Sequence, residues 1–219
     1  MRNTNALTSK AGYTLVYVSG SQNTNASNGQ MVFVKKDKVN RVKLLADNCH
    51  QKTNDGHNLY VRNTTECCEL VLFAYKTSED ETLFVLSVYK HPKMKVKSFY
   101  NELKAFLTDN MQTQRGSNEA FDFKNKKLLI IGDFNLDLAR RKDPLYDNAQ
   151  MVCKLISKLA MKSAYNTRDK TASTTQAGTL IDWCLVTSNM LPSTHECVIY
   201  DSYFAYHKAI WFALLREDV

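Results

Sequence analysis

Glycine and proline are scarce in this chain, 7 and 3 of 219 residues, which excludes a collagen-like or low-complexity polymer. Long apolar runs are missing too. None approaches the roughly 20 residues that a membrane-spanning helix needs; the longest are short stretches such as residues 128–131. Residues 1–10 are polar and carry no apolar leader core. An intracellular protein of nucleus or cytoplasm is therefore expected, neither secreted nor membrane-bound. The six cysteines, Cys49, Cys67, Cys68, Cys153, Cys184 and Cys197, include no C-x-x-C pair and read as reduced thiols rather than a disulfide framework. Residues 1–36 hold no Asp or Glu at all, so no carboxylate chemistry can originate there.

The hydrophobic share, 44% against 23% charged, suffices for a buried core, and the length suits a single domain over residues 1–219. The 29 Lys+Arg outnumber the 22 Asp+Glu, a net charge of +7, which favours an anionic partner. Three basic clusters carry much of that excess. They are Lys35, Lys36, Lys38, Arg41 and Lys43; then Lys90, Lys93, Lys95 and Lys97 around His91; then Arg140, Arg141 and Lys142. Each is also compatible with ordinary solvated surface.

Alternating and β-branched runs predict strands over 13–18 and 30–35, joined as a hairpin through a Ser/Asn-rich loop ending in Asn28-Gly29. Asp55-Gly56 predicts a second turn, between strands over 39–45 and 58–63. Further strands are expected over 69–75 and 83–89. Phe99, Leu103, Phe106 and Leu107 recur at helical spacing. A short apolar strand follows over 127–131. A second helix is expected over 147–161, with Met151, Leu155, Ile156 and Leu159 inward. Strands over 179–186, 196–200 and 208–215 close the chain. This order defines an α/β chain with largely antiparallel sheet rather than a regular βαβ winding.

Chemistry concentrates where a buried strand ends in Gly132-Asp133-Phe134-Asn135. In an extended segment Asp133 and Asn135 face the same way. One can hold a hard cation or take a proton, and the other can orient water; an Asx-stabilised turn would use the same residues. Asp182 interrupts an otherwise apolar strand, and a partly buried carboxylate needs a partner. Tyr89 and His207 by themselves are equally consistent with a strand-end aromatic and a structural histidine. His50, His57, His91 and His195 show no metal-ligand spacing.

Four segments in order, 85–92 ending in Tyr89-Lys90-His91-Pro92, 128–135 with its G-D-F-N, 166–168 (Asn-Thr-Arg) with 178–183 (Gly-Thr-Leu-Ile-Asp-Trp), and 206–210 around His207, resemble the endonuclease/exonuclease/phosphatase superfamily. The pattern around Tyr89, Gly132 and Ile181 is most similar to endonuclease domains of mobile elements, such as retrotransposon and helicase-associated nucleases, which belong to larger polyproteins or multidomain chains. The resemblance implies a mainly antiparallel two-sheet sandwich flanked by helices, a four-layer architecture like that of DNase I. It implies Mg²⁺- or Mn²⁺-dependent hydrolysis of a phosphodiester, with DNA as partner and nicking as outcome. Asp133 would hold the metal and activate water, Asn135 would position that water, and Asp182 would orient His207 against the scissile phosphate. Tyr89 would donate to a phosphate oxygen, and Lys90, Lys93 and Arg168 would bind the substrate backbone.

Two features depart from the family pattern. Tyr206 stands where the family has an aspartate before the histidine, and a tyrosine, neutral at pH 7, cannot supply that charge. The family's opening strands, one with an asparagine and one with a metal-binding glutamate, have no counterpart, since the similarity begins near Gly12. A weakened metal site is expected, with a catalytically inactive nucleic-acid-binding remnant, or a phosphatase of small phosphorylated ligands, as the alternative outcomes.

Overall fold

The computed structural model describes residues 12–19, 30–55, 58–61, 66–111, 126–140, 149–165, 172–191, 195–201 and 206–214. A six-stranded sheet dominates. Its strands are β3 (Val42–Asp47), β6 (Cys68–Lys76), β7 (Thr82–Lys90), β8 (Lys127–Asp133), β9 (Met161–Ser163) and β10 (Asp182–Thr187), in the order β3-β6-β7-β8-β10-β9. All neighbours are antiparallel except β7 and β8. A parallel pair needs a crossover, and α1 (Val96–Met111) lies on the chain between them.

Alternation along each strand sorts the side chains onto two faces. One face carries Leu70, Leu72, Leu86, Val88, Leu128, Ile130 and Trp183, and packs with Phe99, Leu103, Phe106 and Leu107 of α1 and with Val152 and Leu155 of α2 (Ala149–Lys158) in the main core. At roughly 1.5–3 kcal/mol per fully buried large apolar side chain, this contact is the main source of stability.

The other face carries Val71, Phe73 and Val85. It is covered by the hairpin of β1 (Tyr13–Val18) and β2 (Met31–Lys35), whose Tyr17 ring meets Phe73 edge-on at 5.9 Å. Further along, β11 (His195–Tyr200) pairs with β12 (Ala209–Leu214), and its Cys197 packs against the core cluster that includes Cys184 on β10. The two hairpins thus form a second sheet layer over one face of the main sheet, and the helices pack on the opposite face. This is the α/β two-layered sheet sandwich expected from the sequence.

Several local boundaries differ from expectation for identifiable reasons. Residues 39–41 belong to a 3₁₀ turn over Lys36–Arg41, and β3 starts at Val42. The Asp47 carboxylate then accepts the N–H groups of Cys49 and His50 at 2.8 Å each, turning the chain out of β3. The Asp55 turn consequently joins two short strands, β4 (His50–Lys52) and β5 (Asn58–Tyr60), rather than continuing β3. The second helix stops at Lys158, because Ala160 adopts φ 52 and Met161 enters β9. Its buried side chains include Val152, while Met151 and Ile156 are only partly covered. Residues 179–181 are not strand; Thr179 O accepts the N–H groups of Thr174 and Thr175 instead.

Candidate active site

The pairing register places four polar side chains in one row across four adjacent strands. Glu69 on β6 is paired with Tyr89 on β7, Tyr89 with Asp133 on β8, and Asp133 with Asp182 on β10. Directly paired residues project to the same side of a sheet, so the row lies on the face covered by the two hairpins. Tyr89, Asp133 and Asp182 were read from the sequence; Glu69 was not. Its signal was present: a lone acid among Cys68, Leu70, Val71 and Leu72, subject to the same rule that drew attention to Asp182.

Gly132 makes the row possible. It is paired with Val88 across the parallel β7–β8 ladder, has φ 144, and a Cβ there would fall 1.9 Å from the Val88 carbonyl oxygen. Only glycine permits this approach. One residue on, Phe134 is fully buried on the helix side, edge-on to Phe99 at 5.6 Å. It pins the strand end, while Asp133 projects to the other face.

Asn135, at φ 44, folds back on Asp133. Its backbone N–H donates to Asp133 Oδ1 at 2.7 Å, and its side-chain Nδ2 donates to Asp133 Oδ2 at 2.9 Å and to Lys90 O at 2.8 Å. The amide protons are thus committed, leaving the amide oxygen as the end that can face a water or a ligand. Asp133 and Asn135 thus form the Asx-type turn and leave an amide oxygen uncommitted to it.

His207 completes the group. Its Nδ1 lies 3.1 and 2.9 Å from the two oxygens of Asp182, and its Nε2 lies 3.9 Å from Asp133 Oδ2. A carboxylate at Nδ1 holds the proton on that nitrogen, so Nε2 carries the lone pair in the neutral ring. The approach is built by Thr174, fully buried. Its hydroxyl accepts the N–H groups of Ile181 and Asp182 at 3.0 Å each, and its carbonyl accepts the N–H of Lys208 at 2.8 Å. Thr175 bridges to His207. Nothing in the local sequence pattern singled out Thr174.

Burial pushes the Asp133 carboxyl up to about 6; the neighbouring Asp182 adds to this, while the Asn135 N–H, His207 and Lys90 oppose it. The Tyr89 phenol is also raised, first by burial and then by Asp133 and Glu69. Lys90 is 2% exposed and donates from Nζ to His91 O at 3.2 Å. Burial lowers its pKa and Asp133 counteracts this. Lys93, Lys95 and Lys97 are exposed beside it. Tyr206 is 54% exposed, its ring edge-on to His207 at 5.7 Å. Arg168, with Asn166 and Thr167, lies outside the described residues, as do Arg141 and Lys142.

Asp133, Asp182 and His207 each offer a ligand atom within 4.8 Å of the others. Two carboxylates this close, one of them resisting ionisation first through burial and then through the other's charge, form a donor set that a hard cation would relieve. The residues therefore fit Mg²⁺ or Mn²⁺, with Asp133 and Asp182 as oxygen donors. Among the described residues, no helix is long and apolar enough to cross a membrane.

No protein-family model and no curated protein matches the chain. Among solved structures, it is similar to the endonuclease domain of TRAS1, a telomere-specific non-LTR retrotransposon. The TM-score is 0.59 at 13% identity, over 94% of this chain and 82% of that one. An endonuclease/exonuclease/phosphatase family protein from Leptotrichia buccalis is similar with a TM-score of 0.53 at 13% identity, over 93% of this chain and 72% of that one. At such low identity these likenesses establish the fold, which is that of the endonuclease/exonuclease/phosphatase proteins, with a mobile-element endonuclease domain among its neighbours. The resemblance read from four short segments holds at that level.

Proposed function

We propose that the chain is a metal-dependent phosphodiester hydrolase that nicks DNA. The observation that carries this reading is the convergence of Asp133, Asp182 and His207 at the end of the sheet, with Asn135 and Tyr89 beside them. Bound Mg²⁺ or Mn²⁺, held by Asp133 and Asp182, would neutralise phosphate charge and lower the pKa of a bound water. The protein's own groups would do the rest. Asp133 takes a proton from water; Asn135 Oδ1 orients that water. His207, held by Asp182, presents Nε2 to the phosphate. Tyr89 donates its phenol proton to an oxygen on which charge develops. Exposed Lys93, Lys95 and Lys97 hold the backbone without reading its sequence. The shared fold with the TRAS1 endonuclease domain supports the reading.

A second reading has a specific observation in its favour. Tyr206 puts a neutral, exposed ring against His207 where the family has a carboxylate, which would suit a nucleic-acid-binding remnant without turnover. Supercoiled plasmid with Mg²⁺ separates the two. Conversion to nicked circles, lost with EDTA and in Asp133→Ala, is the expected result. Salt-sensitive binding without nicking would establish the remnant instead. Hydrolysis of small phosphomonoesters with intact plasmid would point to a phosphatase.

A further inference from the structure

Glu69 occupies the fourth place in the row, across from Tyr89, and is 1% exposed. A carboxylate buried that deeply requires strong partners. One is Ser19, whose hydroxyl donates to Glu69 Oε2 at 2.5 Å, within the short range of charge-assisted O–H···O⁻ bonds. Ser19 also closes the loop end of the β1–β2 hairpin, next to the Val18–Met31 pair. Its Oγ accepts the Gln30 N–H at 2.7 Å, and its N–H donates to Gln30 O at 2.8 Å. Gln30 then lies across the main sheet. Its Nε2 donates to Glu69 O at 3.0 Å, and its Oε1 accepts the hydroxyl of Ser87, two residues before Tyr89 on β7.

These bonds form a continuous polar chain, Ser87–Gln30–Ser19–Glu69, that holds the loop end of the hairpin on the sheet beside Tyr89. The apolar contacts of the same hairpin, Tyr17 with Cys49, Val71 and Phe73, form a small cluster of their own on this face of the sheet. The polar latch at its loop end adds to that packing, and it sits beside the row, where Glu69 pairs with Tyr89.

We propose that Glu69 is a positioning residue of the site: through Ser19 it fixes the loop end of the β1–β2 hairpin next to Tyr89, as one wall for a nucleic-acid strand crossing the row. This rests on the phosphodiesterase reading above. Glu69 acts through Ser19 and Gln30, and its effect falls on substrate binding more than on the chemical step.

The test uses the full chain, a duplex DNA oligonucleotide and Mg²⁺, with Ser19→Ala, Glu69→Ala and Glu69→Gln. Loss of a hydrogen bond of this kind predicts a rise in KM of about threefold to tenfold in the two alanine variants, with a smaller change in kcat. Glu69→Gln, whose amide oxygen still accepts the Ser19 proton, recovers most of the affinity. Amide exchange at Ser19 and Gln30 accelerates in the alanine variants and returns toward wild type in Glu69→Gln. An unchanged KM in the alanine variants, with kcat reduced only by the unfolded fraction, overturns the inference and shows Glu69 to be a structural residue. Glu69→Gln as impaired as Glu69→Ala also overturns it, since charge rather than the latch would then matter. Wild-type protein that neither binds nor cleaves the oligonucleotide removes the underlying reading, and the inference with it; the two failures are thereby distinct.

Discussion

Asp133 and Asp182 are direct cross-strand partners on β8 and β10, and one histidine ring spans them, with Nδ1 2.9 Å from Asp182 and Nε2 3.9 Å from Asp133. The first carboxylate faces the Nε2 end of the ring and the second the Nδ1 end. In the proposed mechanism the two acids therefore have different roles although they are neighbours on one sheet.

Asp182→Asn tests the orienting role. The amide preserves size but not charge, and can present a donor to Nδ1, forcing the ring into the wrong tautomer. Nicking should fall by about 100-fold or more, with the circular-dichroism spectrum unchanged. Retention of wild-type turnover would remove Asp182 from the mechanism.

Asp133 should leave a signature in stability. Its carboxyl is raised from 3.8 to about 6 in the folded protein. The folded state therefore holds this proton to higher pH than the unfolded chain does. Below about pH 4 both states are protonated and the group contributes nothing. Between about pH 4 and 6 the unfolded chain ionises first and stability falls, and above about pH 6 the full cost, on the order of 2–3 kcal/mol, is present. Urea unfolding of the metal-free protein should show this decline relative to Asp133→Asn. Millimolar Mg²⁺ should flatten it and raise the wild-type Tm, because a cation bound only to the folded state stabilises it. Identical pH dependence in the two proteins would count against a strained carboxylate here.

Gly132→Ala should be among the most damaging single-methyl additions. The new Cβ meets backbone, the Val88 carbonyl, at 1.9 Å, so no side chain can yield. A loss of more than about 2 kcal/mol is expected from the forced backbone shift, measurable as a lower urea midpoint. Because the shift would separate β7 from β8, nicking should fall even at temperatures where the variant remains folded.

Tyr206→Asp offers a gain-of-function test. The ring is 54% exposed, so little packing is lost. A carboxylate beside His207 would add an anionic oxygen to the cation-binding group. Half-maximal nicking should be reached at lower Mg²⁺ concentration than in wild type. An unchanged metal requirement would show that the tyrosine is no obstacle to metal binding.

Much of this molecule is legible one segment at a time. The Val-, Leu-, Phe- and Tyr-rich runs over 69–75 and 83–89, and the helical spacing of Phe99, Leu103, Phe106 and Leu107, mark strands and a helix because each is a local property of its segment. Gly132-Asp133-Phe134-Asn135 marks the end of a strand because its order supplies a flexible residue, a buried anchor and two short polar side chains. Side-chain capping is harder to read: Asp47 turning the chain out of β3 depends on which backbone N–H groups come within reach.

What required the tertiary structure is register and depth. Pairing is set by contacts between residues far apart in the chain, and a slip of one position would send a side chain to the opposite face. Hence Glu69 joins the row only when β6, β7, β8 and β10 are aligned. Lys90 becomes a buried cation rather than part of the exposed basic cluster beside it, and Thr174 becomes the joint that carries His207 to Asp182. Composition and local order specify which chemical groups are available; the long-range hydrogen-bond register of the sheet decides which of them meet.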